Sequence, residues 1–369
     1  MSTATDIRIL VSGGGTGGHV YPAIAIADAL RAERPGAQIL FVGATGRMEM
    51  NAVPAAGYDI VGLPISGFQR SMSPRNLAFP FRLLWSMLRA FVIVGRFAPH
   101  AAVGTGGYAS GPTLKAAQWR GVPTFVQEQN SVPGVTNRLL ARGARRIFTA
   151  FDGMERFFGA ERTVCTGNPL RSAIDMTTLN RAEAVRSFGL DPDHPVVFVT
   201  GGSLGARTLN EATAAALDAW RAAGVQVIWQ AGATNLEAYR DRAAPDVHVT
   251  AFIDGMERAY GAADVIVARA GASTISELEF VGRPSILVPS PNVAEDHQTK
   301  NARALSDAGA ARIIADDRAV DDLGAAVLDL LDDRAAREHL SAALRERARP
   351  DAARDIARTI LETIEPIAA

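Results

Sequence analysis

Short apolar runs alternate with longer, alanine-rich amphipathic segments along the whole chain, and most runs end on glycine or polar residues. The first runs are Ile7 to Ser12, Gln38 to Val42, Ile60 to Leu63, Ala101 to Val103, Thr124 to Val126, Arg146 to Thr149 and Arg162 to Val164. They are too short for buried helices and are bounded by turn residues, so they read as strands. A helix is expected from Ala23 to Glu33. The pattern restarts at Val196 to Thr200, continues through a helix at Thr208 to Ala222, and returns to strands at Val225 to Gln230, His248 to Thr250, Val265 to Ala268 and Ser285 to Val288. Continuous apolar strands separated by helices mark a parallel sheet covered on both faces. The strand–glycine loop–helix start occurs twice, which predicts an α/β protein of two Rossmann-like domains. Gly167 to Asn180, with its Asn168-Pro169 turn signal, is the expected linker, and Asp321 to Ile364 reads as helical.

Composition narrows this picture. A chain of 369 residues favours two domains, and 48% apolar against 21% charged residues supports sizeable cores. A formal net charge of −1 argues against a nucleic-acid partner. Cys165 is the only cysteine, which excludes an intrachain disulfide and suits a reducing cytoplasm. The N-terminus does not read as a signal peptide. The longest apolar stretch, Leu77 to Phe97, is interrupted by Pro80, Arg82, Arg89 and Arg96, so no transmembrane span is expected.

The candidate chemistry lies in the loops after strands. Gly13-Gly14-Gly15-Thr16-Gly17-Gly18-His19 joins the first strand to the first helix. Such a loop is an anion site: amides point outward, the helix dipole adds positive charge, and glycine lets a phosphate approach the backbone. Gly13-x-Gly15-x-x-Gly18 also fits the dinucleotide fingerprint. That fingerprint expects an acid after the second strand, and Val42-Gly43-Ala44-Thr45 offers none, which counts against nicotinamide or flavin. His19 falls in the first helical turn, where the dipole disfavours the imidazolium, as a general base requires. The second loop, Gly201 to Arg207, lacks a Walker lysine; Ser203 offers a hydroxyl to a phosphate, or the loop is a plain tight turn.

Other segments admit two readings each. Thr274-x-x-Glu277 has the form of a capping box, or Glu277 accepts from a ribose diol. His297, Gln298 and Asn301 share a helix face suited to sugar hydroxyls, or they form a solvated helix start. Glu128 is a second candidate acid or base, or it fixes its loop. Asp191-Pro192-Asp193 precedes a strand and reads as a turn, and Glu295, Asp296 and His297 are consecutive, so no metal site is expected. Phe79, Phe81, Leu84, Trp85, Leu88 and Phe91 are interleaved with Arg70, Arg75, Arg82 and Arg89. That pattern suits an interfacial helix on anionic lipid, or a buried helix with snorkelling arginines, which the residues alone slightly favour.

The loops at Gly13–His19, Gly104–Pro112, Glu128-Gln129-Asn130, Gly167–Arg171, Gly201–Arg207, Phe252-Ile253-Asp254, Gly271–Glu277 and Asp296-His297-Gln298 follow one another over nearly the whole chain. In that order they resemble the MurG family of UDP-N-acetylglucosamine transferases, which complete the lipid-linked peptidoglycan precursor. The resemblance implies a two-domain GT-B glycosyltransferase fold. It implies inverting transfer of GlcNAc from UDP-GlcNAc to the MurNAc 4-hydroxyl of lipid I, giving lipid II and UDP without a cofactor. It places an acceptor-binding, membrane-associated domain in residues 1–168 plus a C-terminal helix at about 352–369, and the UDP-GlcNAc-binding domain in residues 169–351. Thr16, Gly17, Gly18, His19 and Tyr108 would meet the acceptor. The Ile253 backbone would meet uracil, Glu277 the ribose, and Ser203 with Arg171 the diphosphate. Ala272, His297, Gln298 and Asn130 would meet the GlcNAc hydroxyls. The resemblance also turns the apolar helix into a docking face for anionic lipid, carried by Leu77, Phe81, Leu84, Trp85, Leu88 and nearby arginines. It implies peripheral attachment to the cytoplasmic face of the inner membrane and other cell-wall synthesis proteins as partners. Leu204, Gln127 and Gly255 depart from the family's common residues (Gln, His and an acid), and His297 is a common alternative to Gln.

Overall fold

The computed structural model describes residues 7–65, 79–170, 179–202 and 204–364. The chain divides into two compact units, Met1–Arg171 with Arg349–Ala369, and Ser172–Ala348. In the first unit the strands are β1 (Arg8–Gly13), β2 (Gln38–Ala44), β3 (Asp59–Leu63), β4 (Ala101–Gly106), β5 (Thr124–Glu128), β6 (Arg146–Thr149) and β7 (Thr163–Cys165). They form one sheet in the order β3-β2-β1-β4-β5-β6-β7, and every pairing is parallel. Ile9, Leu10 and Val11 are all fully buried, which is why the strand sequence is a continuous apolar run rather than an alternation.

The second unit repeats the plan with β8 (Val196–Thr200), β9 (Gln226–Gln230), β10 (Val247–Thr250), β11 (Val265–Ala268), β12 (Ser285–Leu287) and β13 (Arg312–Ile313). Its order is β10-β9-β8-β11-β12-β13, again all parallel. In both sheets the strand order reverses beside the first strand, between β1 and β4 and between β8 and β11. Such a reversal opens a crevice at the carboxyl ends of the two strands, where ligands of open α/β sheets bind. The glycine loops that follow β1, β4, β8 and β11 all lie at these two points.

The strands agree with the sequence to within a residue or two, apart from β4, which continues through Gly104-Thr105-Gly106 where a loop was expected after Val103, and the two-residue edge strand β13. The helices differ more. The first runs Gly17–Glu33, ahead of the Ala23 start read from the apolar pattern but with His19 in its first turn as expected, and keeps Pro22 inside it. The helical region expected at Asp321 to Ile364 consists of three helices, Ala319–Asp332, Arg334–Arg347 and Ala352–Ile364, with Asp333 accepting from the Ala336 amide as a cap. The last of these turns Ile356, Ile360, Leu361 and Ile364 into the first unit's core, against residues such as Ile26 and Leu30 of the first helix. Asp191 accepts from the Asp193 amide at 3.0 Å, a turn as the sequence reads. No helix among the described residues is long and apolar enough to cross a membrane.

Candidate active site

The first crevice is built by the loops after β1 and β4. Thr16 is the N-cap of the helix Gly17–Glu33, yet its side chain makes no capping bond. The opening amides of a helix have no partner within it, so those of Gly17 and Gly18 are offered to an anion. Thr16 is exposed, and Gly17, Gly18 and His19 are half-buried. Thr105, at the end of β4, grips His19 twice: its hydroxyl donates to the His19 carbonyl at 2.7 Å, and its carbonyl lies 2.9 Å from His19 Nδ1. A carbonyl can only accept, so Nδ1 carries the hydrogen, and in the neutral ring Nε2 carries the lone pair. The turn that follows needs glycine. Gly107 has φ +86°, and a Cβ there would stand 2.1 Å from the Gly14 carbonyl oxygen. Tyr108 is exposed beside this turn.

Sequence reasoning missed Glu49. It opens the short helix Glu49–Ala55 beyond β2 and is fully buried. Its carboxylate accepts from the Ala44 amide and from the Gly15 amide, each at 2.9 Å. A Cβ on Gly14 would stand 2.1 Å from Glu49 Oε1, so the glycine loop lies directly on this carboxylate. This refines the sequence reading twice. The Gly15 amide serves Glu49 rather than a ligand, and an acid does follow β2, spent on backbone amides rather than on a ribose. Its sequence signals were the glycines at positions 14 and 43, where a Cβ would run into Glu49.

The loop after β5 carries the second candidate. Glu128 is buried, and its oxygens accept from the amide of Asn130 at 3.0 Å, the Asn130 side chain at 3.2 Å, the Gly134 amide at 3.2 Å and Asn137 Nδ2 at 2.8 Å. Burial pushes its carboxyl above the usual range, opposed by those donors. With both oxygens taken up by Asn130, Gly134 and Asn137, Glu128 is built to hold Asn130 in place, whereas His19 sits at the helix start with Nδ1 against the Thr105 carbonyl. Gln129, adjacent and buried, reaches His19 Nδ1 through Oε1 at 3.1 Å.

In the second unit, the helix Arg207–Ala222 follows β8 and its N-cap, Ala206, provides no side-chain cap. Gly202 and Gly205 adopt φ of +81° and +76° and shape the preceding loop. Thr234 and Asn235 donate to the Leu204 carbonyl at 2.9 and 3.3 Å, anchoring it. Ser203 and Arg171 lie outside the described residues. After β11, the helix Ala272–Val281 has Gly271 as N-cap and no side-chain cap. The capping box therefore does not form: Gly271, not Thr274, is the N-cap, and Thr274 lies inside the helix. Glu277 is positioned instead by Tyr260, whose hydroxyl donates to Oε2 at 2.6 Å. Burial and this carboxylate push the Tyr260 phenol well above its ordinary value, so it stays a donor. Ile253 is buried at the start of the loop after β10, beside exposed Phe252.

His297 and Gln298 begin the helix His297–Ser306. Gln298 Oε1 accepts from the Ser290 amide at 2.8 Å, which fixes the side chain by its oxygen end. Just before them, Glu295 and Asp296 hold φ of +57° and +52° in succession. Two non-glycine residues in the left-handed region cost of order 1–3 kcal/mol each, a strain that clusters at functional sites. Asn301 is buried on this helix.

The helix Phe79–Phe97 buries Ser86, Ala90 and Val94 and exposes Phe81, Leu84, Trp85, Leu88, Phe91 and Val92. The fully buried residues recur every fourth position, Leu83, Ile93 and Phe97 pack partly against the core, and the exposed apolar residues share the outer face with Arg82 and Arg89. The buried-helix reading of this segment is thus reversed; Leu77 lies outside the described residues.

With this geometry in place, comparison with known proteins is decisive. The N-terminal domain model of glycosyltransferase family 28 matches residues 9–149, and the C-terminal domain model of the same family matches residues 196–356. The chain belongs to glycosyltransferase family 28. Among its family 28 relatives, the UDP-N-acetylglucosamine--N-acetylmuramyl-(pentapeptide) pyrophosphoryl-undecaprenol N-acetylglucosamine transferase of Phocaeicola vulgatus is 50% identical over 362 residues, covering 97% of this chain and 96% of its own. The enzyme of the same name from Cytophaga hutchinsonii is 51% identical over 357 residues, covering 97% of each. The crystal structure of Acinetobacter baumannii MurG matches with a TM-score of 0.78 at 29% identity, over 96% of this chain and 99% of that one. The calicheamicin glycosyltransferase CalG4, at 17% identity, TM-score 0.71 and coverage of 97% and 99%, shares the fold.

Proposed function

We propose that this family 28 chain transfers GlcNAc from UDP-GlcNAc to the 4-hydroxyl of the MurNAc in undecaprenyl-pyrophosphoryl-MurNAc-pentapeptide, giving lipid II and UDP. Its half-identity to enzymes named for that transfer, over nearly its whole length, supports the reaction. The observation that carries the chemistry is His19, which stands at an uncapped helix start with Nδ1 tied to the Thr105 carbonyl. An anion-binding helix start beside a neutral base suits an acceptor whose reacting hydroxyl and pyrophosphate belong to one molecule.

In this reading residues 1–168 and the helix at about 352–369 take lipid I. The amides of Gly17 and Gly18, with Thr16 and Tyr108, receive its pyrophosphate and sugar. Residues 169–351 take UDP-GlcNAc: the Ile253 backbone holds uracil, Glu277 the ribose diol, and Ala272, His297, Gln298 and Asn130 the GlcNAc hydroxyls. The helix starts at Arg207 and Ala272 receive the diphosphate, a role assigned also to Ser203 and Arg171. The acceptor oxygen attacks the anomeric carbon from the face opposite UDP, and its proton passes to His19 Nε2. The bond to the diphosphate oxygen breaks, the electron pair leaves with UDP, and the configuration inverts. Preorganised helix-start amides stabilise the charge that grows on the leaving diphosphate. Glu128 acts by holding Asn130. The exposed face of Phe79–Phe97 seats the enzyme peripherally on the cytoplasmic leaflet of the inner membrane, where lipid I resides.

The discriminating experiment offers radiolabelled UDP-GlcNAc with lipid I or with diacylglycerol in matched vesicles. Label moving to lipid I alone supports the reading. Preferential transfer to diacylglycerol would identify a family 28 transferase with another acceptor.

A further inference from the structure

Three buried amides behind His19 are arranged so that each has a forced orientation. Gln127, Gln129 and Asn168 are at most 3% exposed. A backbone carbonyl only accepts, and the two ends of a side-chain amide are chemically distinct. Asn168 must present Nδ2 to the Gln129 carbonyl, 3.3 Å away. Its Oδ1 then accepts from Gln127 Nε2 at 2.8 Å. Gln127 Oε1 in turn accepts from Gln129 Nε2, which also donates to the Thr105 carbonyl. Gln129 is left with Oε1 toward His19 Nδ1 at 3.1 Å, beside the Thr105 carbonyl at 2.9 Å. Reversing any one amide would set oxygen against oxygen in a buried site, where an unmade bond costs about 1–3 kcal/mol.

We infer that Asn168, Gln127 and Gln129 form a one-way amide relay that holds His19 in its Nδ1–H tautomer, which makes Gln129 a positioning residue acting through the imidazole. The inference rests on the reading of His19 as the base and deepens it. Imidazole in water prefers the other tautomer, whose Nε2 has no lone pair to give. Two acceptors facing Nδ1 reverse that preference, and amides do so without placing a charge against the ring. The relay is anchored at both ends on main-chain carbonyls, so its direction is fixed by the fold.

The test is the side-chain ¹⁵N spectrum of the full chain labelled at its six histidines, recorded where the ring is neutral, with His19 identified by its loss in His19→Gln. The expected result is a protonated-type Nδ1 and an unprotonated-type Nε2. An Nε2–H ring in the wild type overturns the inference. Gln129→Leu, checked for folding by its thermal melt, should average the two tautomers and lower kcat about tenfold while the KM for UDP-GlcNAc changes by less than about twofold. Unchanged shifts and kcat in the leucine variant also overturn the inference. If His19→Gln itself keeps full turnover, the base assignment fails, while the wild-type spectrum still decides the tautomer.

Discussion

His19 and Gly106 are in such close quarters that a Cβ on Gly106 would stand 2.8 Å from His19 Nδ1. Gly106 also holds φ at +102°, where a side chain is strained whatever the space. Gly106→Ala should therefore push the imidazole off the Thr105 carbonyl. Displacing a reacting group by about 1 Å can cost about 10²-fold in rate, so kcat should fall by roughly that factor. UDP-GlcNAc affinity, read by calorimetry, should change little. Near-normal kcat would mean that the ring position is not critical.

Glu128 yields a prediction in pH. Burial raises its folded-state pKa above the ordinary 4.5. The stability linked to it is therefore fully present below the unfolded value and is lost as pH rises through the folded one. Glu128→Gln does not titrate there. Urea denaturation from acid to neutral pH should show the wild type losing ground against the glutamine variant. A constant difference between the two would remove the raised pKa from the account.

Tyr260 donates at 2.6 Å to Glu277, the residue assigned to the ribose diol. Tyr260→Phe removes one hydrogen bond to a charged group, worth about 1.5–3 kcal/mol. Glu277 should then wander, and the KM for UDP-GlcNAc should rise about tenfold, part of that energy being recovered by solvent. The kcat at saturation should stay within about twofold. A loss confined to kcat would contradict a role in nucleotide binding.

The exposed face of Phe79–Phe97 predicts membrane affinity. Trp85 and Leu88 are 62% and 54% exposed, and burying such a side chain contributes about 1.5–3 kcal/mol. Trp85→Glu with Leu88→Glu should weaken binding to anionic liposomes at least about tenfold and leave transfer to a detergent-soluble acceptor intact. Unaltered sedimentation with liposomes would dissociate this face from the membrane.

The strands and their glycine loops were legible because a parallel sheet buried on both faces demands continuous apolar runs, and His19 stood out at the end of one loop. What sequence could not show is how distant residues share a donor or an acceptor. Glu49 looks like an ordinary first-turn acid until the Gly15 amide is found on its carboxylate. Tyr260 explains Glu277 only once two helices are packed together. Thr274 and Glu277 have capping-box spacing, but the helix starts before them, at Ala272, because the backbone leaves its extended course at Gly271, which takes the N-cap position instead. The strained pair Glu295 and Asp296 carries no composition signal, since neither residue is glycine.

The most direct test of the account is single-turnover transfer with lipid I and saturating UDP-GlcNAc, comparing the wild type with His19→Ala. A positioned general base contributes about 10²–10⁴ in rate, so lipid II formation should slow by that range while UDP-GlcNAc binding persists. Lipid II formed by His19→Ala at close to the wild-type rate would contradict the account and place the proton acceptor elsewhere.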